Sequence, residues 1–373
     1  MDIWFCKKEY EGRCNLSFFN YNMNMSYMME FEINSQGVIL ENLINTYIKN
    51  YCILMDIPLM MQRVVLVASG SSYNAASLGK YFFENIAQIE ANVEYASEFN
   101  YSKFNNYDTS VLYIFISQSG KSVDTLSAFR KVKKKGIKTL CITNNENSPM
   151  HLEADYKFNI RAGIENAIAA TKTFSASVLM LWLIACKCAQ NKYIDISDEI
   201  ENIYALGKNI ESTLNDIDNI DIAAKFISKQ KEFSIAGLGV YYPLAREAAL
   251  KIKETSYINT GSYPMGEFIH GHFALLNKSK VFLSFITEDC SRYELELFRK
   301  ILKTYKTKAI VISDVYEDYD SEILIKMPKS SSKIATLLNI IVTIQLLAYK
   351  VALILKRDVD KPAGLQKVVD KEK

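Results

Sequence analysis

The 373-residue chain carries 44 basic and 42 acidic side chains, and a formal net charge of +2 lacks the cationic excess of a nucleic-acid binder. Apolar residues make up 49% of it, ample material for cores, and the length suits two domains. The seven cysteines, odd in number and irregularly spaced, read as free thiols of a reducing compartment, so a cytoplasmic location is expected. Cys186 and Cys188 stand two apart and do not share a helix face, which argues against a metal or redox pair. The three histidines, His151, His270 and His272, form no close Cys/His cluster, so no metal site is expected.

Residues 1–25 show no clear period and read as an irregular extension. Asp2, Lys7, Lys8, Glu9 and Glu11 precede any apolar run, so no signal peptide is expected in these residues. Helical spacing appears around Met28 to Tyr51, with Ile33, Val38, Ile39, Leu43, Ile44 and Tyr47 on one broad face. Apolar, β-branched runs at Arg63–Ser69, Ser110–Ser117 and Ile137–Thr143 alternate with helical segments, and Tyr156–Ile160 is a weaker strand. Continuous apolar strands separated by helices indicate a parallel sheet covered on both faces.

A helix is expected after Gly163, continuing as a long one from Ala167 to about Gln190. Its most apolar part, Phe174 to Ala189, is interrupted by Ser175, Ser177 and Lys187 and is short for a bilayer, so it reads as a buried helix and no membrane role is expected. Residues 191–219 are polar and helical in period. The plan then repeats: strands at Glu232–Gly237, Lys280–Ile286, Ala309–Ser313 and Glu322–Met327, a helix from about Pro243, and a strong helix from Ser331 to Leu355. The expected division is an extension over 1–25, a first domain with its leading helix over 26–195, a helical linker over 196–225, a second domain over 226–355 and a tail over 356–373. The fold class is α/β: two three-layer αβα domains with mainly parallel, flavodoxin- or Rossmann-like sheets.

Three strand-to-helix loops stand out: Ser69-Gly70-Ser71-Ser72, Ser117-Gln118-Ser119-Gly120-Lys121-Ser122 and Gly237-Leu238-Gly239. Hydroxyls beside free N–H groups at a helix start form a cradle for a phosphoryl dianion. None matches a dinucleotide fingerprint or a G-x-x-x-x-G-K-[ST] loop. Serine and glycine also cap helices with no ligand present, and composition leaves both readings open. The segments Lys251–Ile258 and Gly266–His272 gather ionisable groups. Sugar isomerisation needs a group that moves a proton between C1 and C2 and another that opens the ring. Glu254 and a histidine can supply both, unless this is simply a solvated helix face.

Taken together, Ser69-Gly-Ser-Ser-Tyr-Asn-Ala75, Ser117-Gln-Ser-Gly120, Ala162-Gly-Ile-Glu165 with Thr171-Lys172, Glu247-Ala-Ala-Leu-Lys-Ile-Lys-Glu-Thr-Ser-Tyr257, Gly266-Glu267, His270-Gly271 and Asp358-Val-Asp-Lys-Pro362 resemble the sugar isomerase (SIS) domains of the isomerase half of glutamine–fructose-6-phosphate aminotransferase. The resemblance runs from about Met28 to Val369. It implies that Gly70, Ser72, Ser117, Gln118, Ser119 and Ser122 hold the substrate phosphate and that Glu165 makes an acidic contact. It further implies that Glu254 shuttles the C1/C2 proton, His270 opens the ring from a neighbouring subunit of a homodimer, Lys251 lies near C1 and C2, and Lys367 folds over the sugar on a C-terminal active-site tail. No cofactor is implied.

Three departures from the family pattern stand out. His272 replaces a proline, Ala170 replaces a serine, and no glutaminase with a Met-Cys start is expected before the first domain. The last makes ammonia transfer from glutamine unexpected and shifts the resemblance toward stand-alone fructosamine-6-phosphate deglycases and glucosamine-6-phosphate deaminases acting on an amino-substituted hexose 6-phosphate. A plain aldose–ketose isomerase and a non-catalytic sugar-phosphate regulator are the alternatives.

Overall fold

The structure, a computed structural model, describes residues 27–58, 61–102, 110–268, 270–275, 281–315, 317, 319, 321–330 and 332–367. The expected extension 1–25 lies outside them. The chain enters through α1 (Met28–Asn34) and α2 (Gln36–Tyr47), where a single helical stretch was expected. The break falls at Ser35, whose hydroxyl bonds back to Glu32 O at 3.0 Å and competes with helix continuation. The end of that stretch is not helical: Asn50 and Tyr51, both at positive φ (49° and 62°), turn β1 (Ile48–Lys49) back on β2 (Cys52–Ile53).

The first sheet contains β3 (Arg63–Ala68), β4 (Glu90–Tyr95), β5 (Val111–Ile116), β6 (Thr139–Thr143) and β7 (Tyr156–Asn159) in the order β4-β3-β5-β6-β7, with every pair parallel. Helices α3 (Gly70–Asn85), α4 (Ala96–Tyr101), α5 (Val123–Lys133) and α6 (Pro149–Glu153) connect them. Central β5 is buried at every residue and was legible as an apolar run. Edge strand β4 is mostly polar and exposed, which hid it from a hydrophobic reading.

No helix follows Gly163 directly. The chain from 160 to 171 is irregular, and α7 starts only at Lys172, running to Asn191. Glu165 explains the late start: its Oε1 accepts the N–H groups of Thr171 (2.9 Å) and Thr173 (3.1 Å), satisfying donors at the first turn of α7. Three helices follow: α8 (Ser197–Ile203), α9 (Leu206–Asp216) and α10 (Ile220–Ile227). Helix α9 presses against α2 so closely that a Cβ on Gly37 would lie 2.9 Å from Gly207 O.

The second sheet repeats the first. It contains β8 (Glu232–Gly237), β9 (Asn259–Pro264), β10 (Val281–Phe285), β11 (Lys308–Ser313) and β12 (Ile323–Lys326), ordered β12-β11-β10-β8-β9 and parallel throughout. Its helices are α11 (Tyr241–Ser256), α12 (Met265–Phe268), α13 (Arg292–Tyr305) and α14 (Lys333–Ile354). In each sheet the second strand in chain order flanks the first, so each has one switch point between its first and third strands.

Helices α7 and α14 are long and apolar enough to cross a membrane, but 89% and 78% of their most apolar 18-residue stretches is buried inside the molecule. They are core helices. One apolar core runs through both halves and includes Leu66, Leu181, Ile235 and Leu338.

Candidate active site

The carboxyl ends of β3 and β5, at the switch point of the first sheet, carry the loops 69–72 and 117–122. Open α/β sheets bind ligands in such crevices. Ser69 and Ser122 stand at the N-caps of α3 and α5, yet neither side chain makes a capping hydrogen bond. That weakens the reading of these serines as plain caps. Ser117 is buried; its Oγ accepts Gly120 N at 3.1 Å and lies 3.2 Å from Ser122 Oγ. Gln118 O accepts Asn144 N (2.9 Å) and Thr143 Oγ1 (3.1 Å), which fixes the loop to the end of β6.

Gly120 sits at φ +63°, and a Cβ there would lie 2.1 Å from Ser148 Oγ, so no other residue fits without displacement. Gly70, also at positive φ (57°), begins α3 with open space around it. Ser119 Oγ accepts Lys121 N at 3.2 Å. The Ser72 hydroxyl and the Gln118 amide are half-buried with no hydrogen-bond partner among the described residues. The result is a rigid loop with unspent donors.

Helix α11 supplies the ionisable groups. Glu247, Lys251 and Glu254 recur at i, i+4 and i+7 and therefore share one face. Lys251 Nζ lies 2.5 Å from Glu254 Oε2 and 3.5 Å from Glu247 Oε1. The side chains of Lys251 and Glu247 are fully buried, and that of Glu254 is 23% exposed. A solvated helix face is therefore excluded. Burial disfavours the Lys251 charge, but the carboxylates of Glu254 and Glu247 outweigh it and hold the ammonium above the ordinary lysine range. Burial pushes the Glu247 carboxyl up, against the pull of Lys251 and Asn74.

Glu247 was missed as a site residue in the sequence, although its place one turn before Lys251 was a usable signal. Its oxygens accept Ser71 Oγ (2.9 Å) and Asn74 Nδ2 (2.8 Å), both on α3. Glu247 thus ties the helix carrying Glu254 to the helix that starts in the Ser72 loop.

The tail closes a third side. Lys367 Nζ contacts Glu165 Oε2 at 2.5 Å and Ala167 O at 2.6 Å. Burial opposes ionisation of Glu165, but Lys367, Thr173 and Thr171 overcome it and hold the carboxyl below its usual range. Tyr257, at the end of α11, accepts Ala363 N on its hydroxyl at 2.6 Å and so anchors the tail. Ala170, where the resemblance has a serine, lies half-buried in the same loop.

His270 is not brought to this cluster. It is exposed beyond α12, its own N–H bonds Glu267 O at 2.9 Å, and no hydrogen bond or ion pair joins its ring to Glu254 among the described residues. His272 lies against Tyr263, with ring centroids 4.4 Å apart.

The loop Gly237-Leu238-Gly239 lies elsewhere. A Cβ on Gly237 would be 2.3 Å from Tyr241 O, so that glycine serves the turn into α11. A cavity of about 530 Å³ opens there, lined by Tyr81, Trp182, Gly239 and Glu294 among others, and by none of the expected phosphate or catalytic residues.

The sequence pattern of the SIS domain matches residues 61–187 and 226–353, which together cover both sheets. The chain belongs to the SIS domain family. This SIS protein is 34% identical over 365 residues to the glutamine–fructose-6-phosphate aminotransferase of Vibrio cholerae, an alignment covering 93% of the chain and 59% of the relative. It thus spans a little over half of that protein and is homologous to its isomerase half.

Among solved structures, the C-terminal domain of the glucosamine–fructose-6-phosphate aminotransferase of Francisella tularensis superposes with a TM-score of 0.85 at 29% identity, over 91% of this chain and 99% of that one. The glucosamine-6-phosphate deaminase of Thermotoga maritima superposes with a TM-score of 0.72 at 25% identity, over 92% of this chain and 99% of that one.

Proposed function

We propose that this SIS protein is an enzyme acting on an amino-substituted hexose 6-phosphate, moving a proton between C1 and C2 and releasing an amine. The observation that carries the reading is the Glu254–Lys251–Glu247 array, a partly exposed carboxylate backed by a buried ammonium. The phosphate would sit among Ser72, Ser117, Gln118, Ser119 and Ser122, with Gly70 and Gly120 allowing close approach, and the first-turn N–H groups of α3 and α5 would add donors. Holding a remote phosphate fixes the reacting carbons relative to Glu254.

On glucosamine 6-phosphate, Glu254 takes the C2 proton of the open-chain aldehyde and returns it to C1. The carbon–nitrogen bond at C2 becomes an imine, water adds, and ammonia leaves with fructose 6-phosphate as the product. On a fructosamine 6-phosphate the shuttle runs from C1 to C2 and water releases the amine from C1. Lys251, with its charge held by two carboxylates, stabilises the enolate oxygen formed between these steps. His270 would open the ring from a second copy of the chain, in keeping with its exposure and its lack of contact with Glu254. Lys367 would close over the sugar. No step needs a metal or an organic cofactor.

The end-to-end superposition on glucosamine-6-phosphate deaminase supports amine release. The same array suits a plain aldose–ketose isomerase, which needs the identical proton transfer. The discriminating experiment incubates the pure protein with glucosamine 6-phosphate, fructoselysine 6-phosphate, and fructose 6-phosphate with and without ammonia, and follows products by mass. Consumption of one of the first two with release of ammonia or lysine is the expected result. Interconversion of fructose and glucose 6-phosphates alone would assign the plain isomerase, and binding without turnover would overturn the enzymatic reading.

A further inference from the structure

Behind Glu165 lies a second carboxylate, Glu32 of α1, only 1% exposed. Its Oε1 accepts the backbone N–H of Asn166 and, at 3.4 Å, that of Ala167. Its Oε2 is buried and has no hydrogen-bond partner among the described residues. The segment it grips is the landing site of the tail, where Lys367 meets Glu165 and Ala167 O. The same helix is tied to the tail at its first turn: the Asp360 carboxylate accepts Met28 N (3.0 Å) and Met29 N (2.8 Å), and Asp360 O accepts Ile168 N (2.9 Å). Helix α1 lies outside both sheets, yet it is bonded both to the loop that receives Lys367 and to the tail that carries it.

We propose that Glu32 is a positioning residue, holding the backbone of residues 166 and 167 so that Glu165 and Ala167 O seat the Lys367 ammonium over the substrate. The proposal rests on the reading in which Lys367 faces the sugar. A backbone donor pair on one oxygen fixes the loop, while the empty second oxygen leaves the group free to carry a proton.

The charged groups facing Glu32 are Glu165 from the loop, Lys172 from the start of α7 and Lys367 from the tail. Burial, then the Glu165 charge, push Glu32 up to about 8 against the pull of Lys172 and Lys367. Below that pH Glu165 alone pairs with Lys367; above it a second negative charge competes for the same ammonium. Turnover therefore declines on the alkaline side.

The test uses the full chain and follows deuterium incorporation at C1 of fructose 6-phosphate in D2O from roughly pH 6.5 to 9.5. E32A is expected to lower the maximal rate about tenfold or more while half-saturation moves less than about threefold, the signature of a lost positioning contact rather than lost phosphate binding. E32Q keeps the Oε1 acceptor, and should recover most of that rate and lose the alkaline decline.

E32A behaving as wild type, or E32Q keeping the wild-type alkaline limb, would overturn the role of Glu32. If E32A fails to fold, the pH profile of E32Q still decides. K367A run in parallel separates the two layers: wild-type exchange by K367A sinks the reading of the tail and this proposal with it. An impaired K367A beside an unaltered E32Q profile sinks the Glu32 role alone.

Discussion

Glu247 makes the strongest demand on its surroundings. It is a fully buried carboxylate that holds Lys251 on one side and Ser71 and Asn74 on the other. Removing one partner of a buried ion pair leaves the other uncompensated, so Glu247→Ala should cost about 3–5 kcal/mol of stability, read by urea denaturation. A loss under about 1 kcal/mol would mean that Lys251 is satisfied by Glu254 alone.

Gly120→Ala must place a Cβ against Ser148 in a left-handed conformation. It should raise the half-saturation for hexose 6-phosphates about tenfold or more by displacing the Ser117 and Ser122 hydroxyls, which an inhibition assay with inorganic phosphate can read.

Glu165 and Glu32 respond to pH in opposite senses. The folded state holds Glu165 below its ordinary value, so its contribution is present at neutral pH and lost as acid protonates it. Glu32 is raised from 4.5 to about 8, so its ionisation opposes folding increasingly as pH climbs through that window.

At the scale of elements, α13 offers a control. Ser291 and Glu294 form a reciprocal capping box, and the helix carries none of the candidate site residues. Ser291→Ala should cost about 1 kcal/mol while leaving turnover at saturation unchanged. A fall in turnover would connect this helix to the site. The same helix shows what the sequence withheld: Ser-x-x-Glu marks its start, but between two apolar strands it was passed over.

Strands β3, β5, β6 and β8 were legible because strands buried on both faces need unbroken apolar runs. Edge strands β4 and β9 are polar, and β9 contains Gly261 and Pro264, so no hydrophobic period could mark them. The serine loops were visible at the strand ends. The face shared by Glu247, Lys251 and Glu254 was only half seen, because the partner of Glu247 lies on α3, far away in sequence. Glu32 gave no signal at all, since its meaning depends on a loop more than a hundred residues on.

At the scale of the molecule, the repeated strand order gives two switch points, but the array used in the proposed chemistry draws on both halves. The phosphate loops come from the first sheet, Glu254 from the first helix of the second, and Lys367 from the tail. The exposed position of His270 sets a test of assembly. If His270 acts across a dimer, mixing E254Q with H270A forms heterodimers with one intact site, and random exchange restores about a quarter of wild-type turnover. No recovery after verified subunit exchange would place ring opening within one chain.

The most direct test of the central claim is hydrogen exchange at C1 of fructose 6-phosphate in D2O, comparing the wild-type protein with Glu254→Gln. It reads the proton shuttle whatever amine the natural substrate carries. The account predicts exchange by the wild type and a fall of about 10²–10⁴-fold in E254Q, with phosphate-dependent binding retained. Wild-type exchange by E254Q would contradict it.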